Sequence, residues 1–399
     1  MATRVLTSKT VAVLSSLLVL VVGIWLGAHP QYLPDPVADL IVGDDDRRVV
    51  QEGLDTIHDK YYRRVSRREL SNAALKGAVE ELDDRFSAYF SSREYALFNK
   101  AINNQFSGVG MVVRGVKGGL RIVTVYPKSP AERANMRVSD LITRANGHPL
   151  GGLSEAAATA LIKGPEGTKV TLVLRRANKK IVKRLTRETI SVPVVTSRIA
   201  NAGGTRVAYI ALSTFGPSTA HEEVANAIRK QRARGAKGIV LDLRGNGGGL
   251  VSEAQLIASM FLKGGTIVTT KGRAVKTRTL STSGRQIAGD LPTVVLVDGG
   301  TASASEIVAG ALQDRKRAKL VGVRTFGKGV FQEIMPLTND GALDITVGQY
   351  FLPSGRNLGG AGVGRGSGLK PNVRALDDPR TPREDEALKR ALEVLARDL

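Results

Sequence analysis

The 399-residue sequence predicts an α/β core, a smaller α+β module ahead of it, a helical region before both, and one apolar helix at the N-terminus. Three observations carry that prediction. After residue 189, short apolar β-rich runs alternate with stretches of helical period, the pattern of a sheet covered by helices. Between Gln105 and Glu188, several short strands and two short helices are separated by Gly-rich turns, which suffices for a separate compact module. Near the N-terminus, Thr10 to Ala28 contains no charged residue.

Composition narrows the chemistry. Hydrophobic residues make up 42 % and charged residues 24 %, the range of a folded globular chain. The absence of Cys excludes disulfide scaffolds, thiolate metal sites and a cysteine nucleophile. Four scattered histidines, His29, His58, His148 and His221, suggest no metal centre, and no metal or other cofactor is expected. The net charge of +21 invites a nucleic-acid reading, but aromatics are only 5 % and no base-stacking motif is present. Basic residues are densest at Arg175–Arg187 and Arg229–Lys237. Solvated faces and general attraction to anionic surfaces account for them, and no nucleic-acid partner is expected.

The elements follow in order. Residues 1–9 form a short basic tip and 10–28 the apolar segment, which at about 1.5 Å rise per residue spans roughly 28 Å, close to the hydrocarbon thickness of a bilayer. Arg4 and Lys9 precede it, whereas Asp35, Asp39 and Asp44-Asp45-Asp46 follow. The positive-inside rule therefore leaves the tip in the cytoplasm and the remainder outside, a single-pass arrangement in a bacterial-type membrane. A cleaved signal peptide is the competing reading. Leu26-Gly27-Ala28 is a poor cleavage site and the apolar run exceeds the usual signal core, so an uncleaved anchor is preferred.

Residues 30–104 form the helical region, with Val50, Leu54, Ile57 and Tyr61 and then Leu75, Val79 and Leu82 at helical spacing, and Ser92 placed to cap a further helix. The module covers 105–188, with strands at Met111–Arg114, Arg121–Val125 and Lys169–Arg175 and helices from Ser129 and from Ser154 to Ile162. The core covers 189–380, with strands at Ala208–Leu212, Gly238–Leu243, Thr293–Val297 and Lys319–Val323 and helices at Ser218–Arg234, Glu253–Leu262 and Ser303–Gln313. Residues 381–399 close the chain as a helix with Leu388, Leu392 and Leu395 on one face, its start marked by the capping box Thr381-Pro382-Arg383-Glu384.

Candidate chemistry concentrates in the core. Gly327-Lys328-Gly329 lacks the Ser or Thr and the upstream glycine of a phosphate loop, and no Gly-x-Ser-x-Gly elbow exists. No histidine falls in the C-terminal part of the core, which disfavours a His-based triad. What remains is Ser303 at a strand-to-helix turn, where a helix N-terminus offers positive potential to a developing oxyanion. The loop Arg244-Gly245-Asn246-Gly247-Gly248-Gly249 can present a second N–H donor. Lys328 stands between glycines with Gln332 four residues on, hence on one face if the chain is extended. Ser303 with Glu306 is equally a sound capping box.

Two resemblances decide between these readings. Gly108-Val109-Gly110-Met111, Ser129-Pro130-Ala131, Asp140-Leu141-Ile142, Asn146-Gly147 and Gly164-Pro165-Glu166-Gly167-Thr168-Lys169-Val170 resemble, in order, a PDZ domain. That resemblance implies that Gly108, Val109, Gly110 and Met111 receive a C-terminal carboxylate while the peptide adds to the sheet edge. Asn135-Met136 departs from the family's preference for Gly after Ala. From Leu82-Asp83-Asp84 through Leu241–Gly249, Thr301–Asp314, Gly327–Gln332 and Tyr350-Phe351-Leu352-Pro353-Ser354-Gly355, the chain resembles the carboxyl-terminal processing, or tail-specific, proteases of peptidase family S41.

The second resemblance implies a crotonase/ClpP-like ββα core with an inserted PDZ domain. It implies Ser303 as nucleophile, Lys328 as general base, Gln332 as the residue that orients the lysine, and the amides of Gly249 and Ala304 as oxyanion hole. Glu306, Thr325 and Asp314 fall on supporting positions. The segment Gly366–Pro371 is longer and more basic than the family's usual stretch. The implied activity is serine endopeptidase cleavage of extracytoplasmic proteins near their C-termini. Its partners would be protein substrates with exposed, apolar C-terminal tails, the membrane through the N-terminal helix, and in a homo-oligomer a second copy of the chain. The alternatives are an inactive PDZ adaptor and a basic binder of envelope polymers.

Overall fold

The computed structural model describes residues 16–25, 45–284, 286–360, 366–377 and 384–399. The predicted tip at 1–9 lies outside them. Of the apolar segment only 16–25 is described, and it is helical and exposed. Among the described residues, no helix is long and apolar enough to cross a membrane.

The chain divides into two compact units, Met1–Glu81 and Leu82–Leu399. In the first, α1 (Asp45–Lys60) packs against α2 (Arg67–Glu80). Ser66 starts α2 through a reciprocal capping box with Glu69, and Arg67 pairs with Asp55 of α1.

The second unit opens with β1 (Ala88–Phe90) and α3 (Ser92–Ile102). The cap of α3 is Ser91, one residue before the predicted Ser92, because the Ser91 N–H and hydroxyl both reach Glu94. β2 (Gln105–Gly108) then leads into a module built of β3 (Met111–Val116), β4 (Gly119–Val125), α4 (Pro130–Arg133), β5 (Leu141–Ala145), β6 (His148–Pro149), α5 (Glu155–Ile162), β7 (Lys169–Arg176) and β8 (Lys179–Thr186). Its sheet runs β3-β4-β5-β7-β8, with β6 on β5. Leu120, Ile122, Ile142, Leu172 and Leu174 fill one face. The chain leaves through β9 (Glu188–Ser191), which pairs antiparallel with β2 and closes a two-stranded stem.

The core follows as β10 (Val195–Ala202), β11 (Thr205–Leu212), α6 (Ala220–Ala233), β12 (Ile239–Asp242), α7 (Val251–Ser259), β13 (Thr266–Lys271), β14 (Arg278–Ser281), β15 (Thr293–Val297), α8 (Ala304–Asp314), β16 (Lys319–Gly322), β17 (Val330–Pro336), β18 (Ala342–Phe351), β19 (Val373–Arg374) and α9 (Glu386–Ala396). One sheet has the order β10-β11-β12-β15-β16-β19, parallel from β11 onward. Both faces are covered, so its strands read as continuous apolar runs. Leu241, Val295 and Val297 face α6, α7 and α8, whereas Val240, Val294 and Leu296 face α9. A second, antiparallel sheet, β1-β18-β13-β14 with β17 on β18, brings Gln332 and Asp344 near Lys328.

The C-terminal helix starts later than predicted. Thr381-Pro382-Arg383 lie outside the described residues, and the helix begins at Glu386 with the Asp385 carboxylate accepting from Leu388 N–H at 2.8 Å. Asp385 also receives Arg244 Nη1 at 2.8 Å, so the cap doubles as the tie between α9 and the end of β12.

Candidate active site

β15 ends at Val297, and a turn held by Asp298 and Thr301 carries the chain to Ser303. Ser303 has φ 56° and ψ −120°, a region that a side chain with a Cβ occupies at a cost of about 1–3 kcal/mol. The strain is held by contacts on both sides. Ala302 N–H donates to Asn246 O at 3.0 Å, Ser305 Oγ donates to the same oxygen at 2.8 Å, and Ser303 N–H donates to Glu306 Oε2 at 2.9 Å. Ser303 thus uses its N–H toward Glu306, and its side chain faces the Glu306 backbone N–H in the same capping box.

The glycine-rich loop 244–249 packs directly on this turn. A Cβ on Gly248 would lie 2.8 Å from Ser303 Cβ and 2.9 Å from Ala304 N, so only glycine allows the approach. Asn246, fully buried, organises the loop by donating to Leu212 O and accepting from Gly248 N–H. Gly249 forms a parallel bridge with Phe215. Among the described residues, neither Gly249 N–H nor Ala304 N–H has a protein acceptor. The residues that follow Gly248 and Ser303 in the chain therefore each carry an N–H without a protein acceptor among the described residues, that of Ala304 at the positive end of α8.

Lys328 lies in the loop before β17. Its amine donates to Gln332 Oε1 at 2.6 Å and sits 4.6 Å from the centre of the Phe86 ring. Among the described residues, no hydrogen bond joins it to Ser303 Oγ. Burial holds the amine below the ordinary lysine value, while the charges of Asp344, Asp84 and Glu306 oppose that shift. Gln332 Nε2 donates to Thr346 Oγ1 at 2.8 Å, and Thr346 N–H donates to Ser87 Oγ at 3.0 Å. Ser87 Oγ in turn donates to Asp84 Oδ2 at 2.6 Å. Burial pushes the Asp84 carboxyl up, but the hydrogen bonds from Ser87 and Phe86 N–H help bring it below its ordinary value.

One group joins the two halves. The Glu306 carboxylate accepts from Ser303 N–H and from Lys328 N–H at 3.0 Å through Oε2, and from Gly327 N–H at 2.8 Å and Thr325 Oγ1 through Oε1. It is completely buried, and burial raises its pKa against the pull of those donors. Thr325 Oγ1 also accepts from Leu369 N–H at 2.7 Å. Asp314 holds the turn after β18, accepting from Ser354 N–H and Arg356. Phe86, Ser87, Asn246, Asp344 and Thr346 were not singled out from sequence. Phe86 and Ser87 follow Leu82-Asp83-Asp84, and the signal for them is that this polar stretch breaks the helical spacing that ends at Leu82.

In the PDZ-like module, Gly108, Val109, Gly110 and Met111 line a small apolar groove of about 40 Å³ with Phe106, Val113 and Ile162. Val109 O accepts from Ala131 N–H and Gly110 O from Tyr126 N–H, which leaves the N–H groups of Val109 and Gly110 without a protein acceptor among the described residues.

The fold is mixed α/β, and comparison with known proteins places it among serine-type peptidases that carry a PDZ domain. The profile of peptidase family S41 matches residues 206–373, and that of the PDZ domain matches residues 121–176. The carboxy-terminal processing protease CtpA of Bacillus subtilis (strain 168) is 32 % identical over 334 residues, which is 84 % of this chain and 70 % of that one. A "Probable CtpA-like serine protease" of Staphylococcus aureus (strain bovine RF122 / ET3-1) is 33 % identical over 326 residues, covering 81 % of this chain and 63 % of its own. Among solved structures, the photosystem II D1 C-terminal processing protease is 29 % identical with a TM-score of 0.48, covering 86 % of this chain and 90 % of that one. The chain belongs to peptidase family S41, with the carboxy-terminal processing proteases.

Proposed function

We propose that this chain is a serine endopeptidase that cuts proteins at or near their C-termini, with Ser303 as nucleophile and Lys328 as general base. The observation that carries the reading is the convergence of Ser303 N–H and Lys328 N–H on one buried oxygen of Glu306. A lysine with an ordinary pKa near 10.4 must lose its proton to act as a base, and burial of Lys328 moves it in that direction.

In the proposed cycle, the amine turns from Gln332 and Phe86 toward Ser303 and accepts the hydroxyl proton as Oγ bonds to the scissile carbonyl carbon. Gly249 N–H and Ala304 N–H receive the oxyanion. The C–N bond then breaks, Lys328 returns the proton to the departing amine, and water repeats the attack on the acyl-enzyme. Gln332 orients the amine between steps. The groove at Gly108, Val109, Gly110 and Met111 binds the carboxylate of an apolar tail, and its occupancy aligns the protease site. The crotonase/ClpP-like assignment of the core, the uncleaved N-terminal anchor and an extracytoplasmic catalytic part belong to the same proposal.

Cleavage of a protein with an unstructured apolar tail, followed by mass spectrometry of its C-terminus, tests the reading. Ser303→Ala and Lys328→Ala are each expected to abolish cutting. If both variants cut as fast as wild type, the dyad is misassigned. If wild type binds the tail without cutting it, the chain is an adaptor.

A further inference from the structure

The outer face of the PDZ sheet carries a charge pattern that the peptidase chemistry does not use. Register aligns Arg114 of β3 with Arg121 of β4, Arg121 with Leu141 of β5, Leu141 with Arg175 of β7, and Arg175 with Lys180 of β8. Four cations therefore lie in one row across five strands, roughly 19 Å at about 4.8 Å per strand. Arg144 and Arg184 flank the row on the same face. All six are exposed, and none has an ion-pair partner among the described residues. Arg121 and Arg144 find only the backbone carbonyls of Ser139 and Gly147. The strands β3, β4, β5, β7 and β8 contain no Asp or Glu at all.

Two pairs of like charges, Arg114 with Arg121 and Arg175 with Lys180, stand directly opposite each other. Such pairs are unfavourable in isolation, and among the described residues no acidic side chain pairs with any of the four. An external anionic layer would offset them.

We propose that this sheet face docks on an anionic lipid surface, with the Arg/Lys row on lipid phosphates and the exposed Val112, Val123 and Val182 at the headgroup boundary. Two features favour lipid over nucleic acid. No aromatic residue occurs on these strands, so no base can stack there. The same chain also carries the uncharged apolar run Thr10–Ala28. The face shares no residue with the peptide groove, so docking and tail binding are compatible.

The test uses the full chain in reconstituted vesicles and does not depend on proteolysis. Because the sequence has no Cys, Val182→Cys accepts a single fluorophore on the face and Ala156→Cys a single control fluorophore on α5. Phosphatidylcholine vesicles with and without phosphatidylglycerol carry a headgroup spin-label quencher. The expected result is severalfold stronger quenching at position 182 in the anionic vesicles. It should be lost at high salt and lost in the variant carrying Arg114→Gln, Arg121→Gln, Arg175→Gln and Lys180→Gln. The salt titration gives the same answer without that variant. Equal quenching with and without anionic lipid, or equal quenching at position 156, overturns the proposal. So does a label that responds to a short single-stranded RNA and ignores the anionic vesicles.

Discussion

Lys328 is pulled in two directions. Burial disfavours its charged form, whereas Asp344, Asp84 and Glu306 favour it, with Asp344 the largest of the three charges. The Phe86 ring, 4.6 Å away, adds a cation–π contact that also favours the ammonium. Desolvation therefore favours the neutral amine against several opposing contacts. Asp344→Asn removes the strongest opposing charge, so the Lys328 pKa should fall further. If Lys328 is the base, the rising limb of kcat/KM against pH then moves to lower pH. A limb that stays in place or moves to higher pH would remove Lys328 from that role. Tyr350 is a separate matter at this scale: its hydroxyl is the one buried side-chain polar atom without a partner among the described residues, and burial raises its pKa well above the ordinary value.

At the level of elements, the N-terminus of α8 is a junction. Glu306, at the third helical position, would ordinarily only close a capping box with Ser303. Here its side chain also gathers Thr325, Gly327 and Lys328 from the segment that follows β16. A carboxylate can accept from all four donors, while an amide keeps only one oxygen and turns two donors toward other N–H groups. Glu306→Gln is therefore expected to cost about 1–3 kcal/mol of stability. It should also lower kcat by about 10²-fold through displacement of Lys328 relative to Ser303, with KM little changed if the groove at Gly108–Met111 holds the substrate tail. Circular dichroism and steady-state kinetics read both effects. Wild-type kcat in a folded variant would show that the junction does not set catalytic geometry.

Across the whole second unit, the helix that leads into the PDZ domain meets the core beside the loop 244–249. The stem of β2 and β9 follows α3, and a Cβ on Gly216 would lie 1.9 Å from Ile102 O at the end of that helix. Gly216 adjoins Phe215, whose N–H donates to Gly248 O and whose carbonyl accepts from Leu250 N–H. Backbone contacts thus run from the end of α3, just before the stem, to the residues on either side of Gly249. Gly216→Ala should push the two segments apart and lower kcat about tenfold or more, while affinity for a C-terminal peptide, measured by calorimetry, stays near wild type. Unchanged kcat would separate the stem from the site. At the opposite edge, Arg244 bonds both Asp242 at the end of β12 and Asp385 at the start of α9, so the last helix braces the strand that feeds the same loop.

Much of this architecture was legible in the chain itself. Buried strands such as Thr293–Val297 and capped helices such as Glu155–Ile162 announce themselves through local period and capping residues, because those preferences act between near neighbours. Ser303, Lys328 and Gln332 were candidates by residue type and place in the chain, and the resemblance to the S41 peptidases implied their roles. Helix starts shifted by a few residues, to Ser91 and Asp385, because several polar residues compete for each cap and packing chooses among them. What the tertiary structure alone decided is who surrounds those residues. Phe86 and Asp84 reach Lys328 from more than two hundred residues away, Glu306 bonds both candidate catalytic backbones, and cross-strand register turns scattered basic residues into one row. Burial and register between distant segments set these neighbours, and neither leaves a periodic mark on the sequence.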